Sequence, residues 1–196
     1  MSKKLNNWQT WALFLPFIAG IVIMNLPQAD FYAYQTNFAI ANLLFILNIF
    51  LAIGYQTYLV INFIAQANVK SGLFKSNALI PLIFSFVYLV YVAYAMFARH
   101  AVHSANNIHG PMPVANYNLT AWITLALLIH AFITFYFVNP WLVSGRIRTE
   151  LDITRQEELT SQFLVPIKRL VRVSLWVYAI LFVASILGDL VSFFRK

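Results

Sequence analysis

The residues best suited to chemistry are three of the four histidines, which follow one long apolar run. His100, His103 and His109 have the spacing H-x2-H-x5-H. Imidazole nitrogens are good ligands for zinc and copper. The cluster is therefore a candidate metal site. The competing interpretation is that these histidines are solvated at a helix end and in the loop that follows.

The fourth histidine, His130, lies near the middle of a different apolar run. We expect a neutral imidazole in the core there, because buried polar groups are normally hydrogen-bonded. Its candidate partners are Tyr88, Tyr91 and Asn48. A haem b site needs a second histidine at the same depth, whereas His100 lies about 18–20 Å nearer the outer surface at 1.5 Å per residue. We predict no cofactor; the alternative is a haem whose second ligand comes from a partner subunit.

Two charged residues, Arg99 and Asp189, lie toward the outer ends of their apolar runs. At similar depth they would form an ion pair, each making the other tolerable in lipid. The alternative is that Arg99 extends to the headgroups while Asp189 contacts interfacial water. The chain contains no cysteine, no other embedded acid and no hydrolase or phosphate-binding motif. Hydrolytic catalysis therefore has no visible machinery.

The composition explains why these side chains are scarce. Of 196 residues, 61% are hydrophobic and 10% are charged, against roughly 25% charged in soluble domains. Such a chain cannot cover itself with polar side chains, so lipid must cover part of it. The net charge of +7 arises at the ends of the apolar runs, where cations set membrane orientation, and nucleic acid is not an expected partner.

Residues 1–196 are predicted to form a single all-α domain, an integral membrane bundle of five transmembrane helices. Ten of the 13 Lys and Arg residues fall on one side if the N-terminus is inside. The positive-inside rule then places the C-terminus outside. The exception would be a last segment that only dips into the bilayer. The predicted spans are Trp8–Leu26, Asn37–Gln66, Asn77–His103, Tyr117–Ser144 and Val171–Phe194.

Polar residues recur at helical spacing within the spans and are expected to face the bundle interior. The simpler interpretation is interhelical hydrogen bonding, and the alternative is a polar path or a small-molecule cavity. The predicted interior polar residues are Asn48, Asn62, Tyr88, His130, Tyr178 and Asp189.

Residues 145–172 are rich in charge and predict a cytoplasmic helical hairpin. Arg146 with Glu150, and Arg148 with Asp152, have the i, i+4 spacing of ion pairs on a solvated helix. Three further cations, Lys168, Arg169 and Arg172, lie at the membrane edge. They are predicted to contact lipid headgroups or a cytoplasmic partner.

These features favour a non-catalytic multi-pass protein. We expect it to lie in the bacterial inner membrane. It would act as a homo-oligomer or as a subunit of an envelope or transport assembly, with membrane lipids and other membrane subunits as partners. One alternative is a redox or metal subunit that holds haem b, copper or zinc through its histidines. A weaker alternative is a small channel or carrier lined by residues such as Asn48 and Asp189.

Overall fold

A computed structural model describes residues 5–27, 31–69, 72–106 and 117–194, which form helices joined by short connections. Within these ranges, side chains are described except at 31–35, 73, 96–106, 117–124, 181 and 184–194. The α-helices are α1 (Asn7–Ala12), α2 (Leu15–Met24), α3 (Phe31–Gln66), α4 (Gly72–Asn106), α5 (Tyr117–Ile133), α6 (Asn139–Arg148), α7 (Ile153–Leu159) and α8 (Val165–Phe194). Two π-helical turns are π1 (Thr134–Val138) and π2 (Thr160–Leu164).

Four helical stretches among the described residues are long and apolar enough to cross a membrane. Each overlaps one of the first four predicted spans, so the prediction of an all-helical fold with several helices able to span a membrane is confirmed for the described residues. The fifth predicted span lies within α8. The four stretches are Asn7–Met24, Thr36–Gln66, Phe74–Ala95 and Leu125–Arg148.

Prolines account for the main irregularities of these helices. A proline lacks an amide hydrogen, and its ring clashes with the carbonyl four residues earlier. At Pro16 the chain changes from α1 to α2, with the proline in the first turn of α2. Each π turn is followed two residues later by a proline, Pro140 after π1 and Pro166 after π2. A π turn is wider than an α-helical turn, so it moves the carbonyl that would clash with the proline ring away from that ring. π turns and prolines are both recognised causes of local helix distortion.

The C-terminal end of α3 is capped by its own backbone and by two arginines, Arg146 and Arg155. Asn68 adopts a left-handed conformation with φ 52°, and the Val69 amide bonds the Ile64 carbonyl at 3.1 Å, which is the Schellman arrangement. The guanidinium of Arg155 donates to the Gln66 carbonyl at 2.8 Å. A cation at this position also interacts favourably with the helix dipole.

The tightest packing lies at the end of the bundle that is predicted to face the cytoplasm. Here α3, α4, α6 and the π2 segment bury one apolar cluster. Phe163 of π2 is fully buried, and its ring meets that of Phe63 at 5.7 Å between centroids. A second cluster lies deeper, around Phe14, Phe135 and Leu170. The two clusters hold α7, π2 and the first half of α8 against α3.

Residues 145–172 contain the end of α6, a turn, α7, π2 and the start of α8. Arg146 lies 3.9 Å from Glu150, as the i, i+4 spacing predicts. Asp152 does not pair with Arg148 as expected, because its carboxylate instead accepts the Thr154 amide at 2.9 Å and caps α7. Most charges thus face outward in this region, while Leu159, Phe163 and Ile167 enter the core.

Candidate functional site

Three polar side chains of α3 are buried where the neighbouring helices are apolar. Asn48 is 0% exposed, and Gln56 and Thr57 are each 2% exposed. A buried polar group without a partner is costly, and more so where no water is available. We call these three residues the α3 polar cluster. Each of them bonds a backbone carbonyl on a different neighbouring helix.

Gln56 bonds the backbone carbonyl of Phe135 in π1, which has no amide donor within its own helical segment. In π1 the Asn139 amide bonds the Thr134 carbonyl. The next amide, which would reach the Phe135 carbonyl, belongs to Pro140 and has no hydrogen. Gln56 Nε2 donates to this Phe135 carbonyl at 2.8 Å. The glutamine therefore replaces a missing backbone donor.

Thr57 bonds a backbone carbonyl close to the proline of α4. Pro81 lies inside α4 and removes one amide from the helix ladder. The Thr57 hydroxyl donates to the carbonyl of Ala78, three residues before the proline, at 2.9 Å. Hydroxyl side chains on neighbouring helices are a common means of satisfying backbone groups beside membrane prolines.

Asn48 connects the first helix pair to α8. Its Nδ2 donates to the Leu13 carbonyl at 2.8 Å, at the break between α1 and α2 that precedes Pro16. Its Oδ1 accepts the Tyr178 hydroxyl, also at 2.8 Å. Two of the predicted interior residues, Asn48 and Tyr178, are therefore brought into direct contact.

Asn139 extends the cluster across the start of α6. Its Nδ2 donates to Gln56 Oε1 at 2.8 Å, which also fixes which way both amides point. Asn139 is 2% exposed, and its Oδ1 has no partner within the described residues. The amide pair thus lies wholly inside the protein and has no contact with solvent.

Beside the polar cluster lies a cavity of about 500 Å³ between α2, α3, α5 with π1, and α8. Its wall is hydrocarbon except for two phenol groups. The Tyr178 hydroxyl donates to Asn48, and the Tyr136 hydroxyl lies 3.0 Å from that of Ser174. The lining residues are Phe17, Phe45, Ile49, Ala52, Ile53, Leu128, Ile129, Ala131, Phe132, Phe135, Tyr136 and Tyr178.

Three other predicted interior residues, Asn62, Tyr88 and His130, do not join the cluster. The Asn62 amide donates to the Tyr58 carbonyl of its own helix at 2.7 Å. Tyr88 is half-buried and stacks with Phe84 at 5.9 Å. His130 Nε2 is buried without a partner among the described residues. Asn48, Asn62 and Tyr88 share no hydrogen bond in the part of the chain that the structure describes.

The predicted metal cluster and ion pair lie outside the described side chains. The backbones of Arg99, His100 and His103 belong to α4, and that of Asp189 belongs to α8. His109 lies outside the described residues. Within the residues that are described, no group of three or more His, Cys, Asp or Glu side chains is arranged to hold a metal ion.

The three predicted membrane-edge cations differ in their surroundings. Lys168 and Arg172 are exposed. Arg169 is half-buried, and its Nη1 lies 3.4 Å from the Leu5 carbonyl. The Leu5 amide in turn donates to the Tyr55 hydroxyl at 3.0 Å. Arg169 therefore helps to tie the N-terminal segment to α3 and α8.

Sequence reasoning missed Gln56, Thr57 and Asn139. The signal near them is proline inside an apolar run, because each such proline interrupts the backbone hydrogen bonds of its helix. Pro81 and Pro140 are two such prolines, on the third and fourth spans. Gln56 and Thr57, on the longest span, bond carbonyls close to them.

Compared with known protein families, characterised proteins and solved structures, the chain shows no match. Its function must therefore be inferred from its own residues. The geometry above offers two features for this purpose, which are the α3 polar cluster and the apolar cavity beside it.

The role of Gln56 is testable by a double-mutant cycle with Pro140. We expect Gln56→Leu to lower the free energy of unfolding in detergent by about 1–3 kcal/mol, because the Phe135 carbonyl loses its donor. In a Pro140→Ala background, a backbone amide becomes available to that carbonyl, so the same substitution should cost about 1 kcal/mol less.

The matched control for this cycle is Gln162→Leu, because Gln162 bonds Glu158 at the surface of π2. It should show no coupling to Pro140→Ala. An equal cost of Gln56→Leu in both backgrounds would contradict the assignment.

Proposed function

We propose that the chain is a non-catalytic multi-pass subunit of the bacterial cytoplasmic membrane, working as a homo-oligomer or within a larger envelope assembly. The observation that carries this proposal is the use of the buried polar groups. Asn48, Gln56 and Thr57 each bond a backbone carbonyl at a helix irregularity. Side chains committed in this way hold helices together and are not available to activate a substrate.

We propose five spans, with the N-terminus inside and the C-terminus outside. α8 has 30 residues, which corresponds to about 45 Å at 1.5 Å per residue and exceeds the thickness of the hydrocarbon core. Leu175, Trp176 and Ile180 are more than half exposed on it, as expected for a helix that faces lipid. The distribution of Lys and Arg supports the orientation.

The orientation is testable by thiol labelling, since the chain has no cysteine of its own. A single cysteine at Leu151, which is 96% exposed in the turn before α7, should react with a membrane-impermeant maleimide only after the cells are permeabilised. A cysteine at Lys196 should react in intact cells. Labelling of position 151 in intact cells would overturn the orientation, and protection of position 196 would overturn the fifth span.

An exposed aromatic strip on α4 supports assembly with a second copy. Tyr91 is 63% and Tyr94 is 70% exposed, and the ring of Tyr88 lies 6.4 Å from that of Tyr91. The hydroxyls of these three tyrosines have no hydrogen-bond partner within the described residues. Tyrosine is enriched in protein interfaces because it combines a large apolar ring with a polar end.

Assembly through this strip predicts disulfide-linked dimers. In a two-fold symmetric contact the same residue meets itself near the axis. Single cysteines at Tyr91 and Tyr94 should therefore give a covalent dimer on mild oxidation in native membranes. The control is Val183→Cys, which is exposed on α8 and should remain monomeric. A lone monomer in mild detergent, without cross-linking at position 91 or 94 and without a co-purifying protein, would contradict the proposal.

The second candidate function is haem binding through His130, with the other ligand from a partner subunit. It is favoured by the Nε2 of this histidine, which is buried and has no partner among the residues that the structure describes. This function predicts a Soret band in the purified complex that is lost on His130→Ala. Asn62→Ala, which removes another polar side chain from a span, is the matched control and should retain the band. A complex without visible absorption would eliminate this candidate.

A further inference from the structure

The apolar cavity opens sideways, toward the surroundings of the bundle. Leu128, Ile129 and Phe132 of α5 line it, and each is at least 39% exposed. The opposite wall, with Ala52 and Ile53 of α3, is buried. The cavity therefore has a closed inner wall and an outer rim that is reached from the bilayer.

The lining of the cavity favours a hydrocarbon ligand. A cavity of about 500 Å³ falls in the range of about 300–1,000 Å³ that holds small ligands. The Tyr178 hydroxyl already donates to Asn48, and the Tyr136 hydroxyl accepts from Ser174. A ring that carries two carbonyl groups, such as a quinone, would leave at least one oxygen without a donor from the lining, which costs affinity. A plain hydrocarbon chain has no such groups.

Two exposed cations lie on the same helix, toward the predicted inner surface. Arg172 and Lys168 precede the cavity residue Tyr178 by 6 and 10 residues, or about 9 and 15 Å along α8 at 1.5 Å per residue. No hydrogen bond or ion pair within the described residues engages either side chain, unlike Arg169, which bonds Leu5. Their charge complements the phosphate of a lipid headgroup.

We propose that the cavity holds one acyl chain of an anionic phospholipid from the inner leaflet, with the phosphate at Lys168 and Arg172. The acyl chain extends into the cavity past the exposed rim of α5, and the headgroup remains at the membrane surface. The lipid thereby fills the space beside Tyr178 and lies against α2, α3, α5 and α8. This site is independent of the α4 strip and of the assembly proposed above.

The proposal predicts where a reactive lipid will attach. The full-length protein is reconstituted in vesicles that contain phosphatidylglycerol with a diazirine on one acyl chain. After illumination, adducts should concentrate on cavity residues such as Ile49 and Ile53, which face away from the bulk bilayer. Adducts confined to outward side chains, such as Leu125 and Val183, would overturn the proposal.

Filling the cavity should abolish this labelling. Ala131→Phe places a ring in the cavity, and a change of even one methylene in an apolar pocket alters binding by about tenfold or more. We expect at least that loss of cavity adducts. Ala126→Phe is the matched control, since Ala126 is exposed on the same helix, and it should label like the wild type. Ala52→Phe fills the opposite wall and provides a second variant if the first does not fold.

Parallel probes distinguish which class of lipid supplies the acyl chain in the cavity. Diacylglycerol with the same diazirine lacks the phosphate and should label the cavity about tenfold less, as should phosphatidylglycerol on the variant Lys168→Gln/Arg172→Gln. A diazirine fatty acid, or a quinone probe, that labels as strongly as phosphatidylglycerol would overturn the phospholipid assignment. So would unchanged labelling of the double variant.

Discussion

The structure depends on one constraint, which is that backbone carbonyls at an interruption of an apolar helix must find hydrogen-bond donors inside the protein. The prolines of this chain interrupt three of its apolar helices, and α3 supplies the side chains that bond the carbonyls beside them. Each bond specifies both the rotation of α3 and the height of the neighbouring helix. Dispersion forces between apolar helices do not select one register so sharply, since lipid tails are as apolar as leucine. The polar cluster of α3 therefore determines how its neighbours are arranged.

The same constraint accounts for the opposite treatment of the two π turns. In π1 the released Phe135 carbonyl faces the interior and is bonded by Gln56. The corresponding position in π2 is Ser161, which is exposed near the predicted cytoplasmic surface, where backbone groups need no buried donor. At that surface, arginine side chains donate to backbone carbonyls, as the amide side chains do in the interior. Arg155 bonds the Gln66 carbonyl at the end of α3, at a depth where a guanidinium remains partly solvated.

Much of the fold could be predicted from run length and composition, because a bilayer admits only helices or closed barrels. Asn48 and Tyr178 were also predictable as interior residues, since each belongs to a helical stripe of polar side chains. Gln56 and Thr57 were not, because no such stripe includes them and only the prolines of other helices explain them. A π turn adds one residue and rotates the following positions by about 100°. A helical wheel drawn through residues 134–138 would therefore place Asn139 and the rest of α6 on the wrong face.

The polar and apolar features of the bundle follow from each other. Because the buried amides and hydroxyls around α3 are engaged with backbone or with one another, they cannot be turned toward a substrate without leaving a carbonyl unsatisfied. The space that remains between the helices is bounded by rings and aliphatic groups, with Tyr178 held in place by Asn48. Such a space provides shape and contact area for an apolar ligand. Among the described residues, Lys168 and Arg172 present charge at the surface, where it suits the proposed recognition of a lipid headgroup.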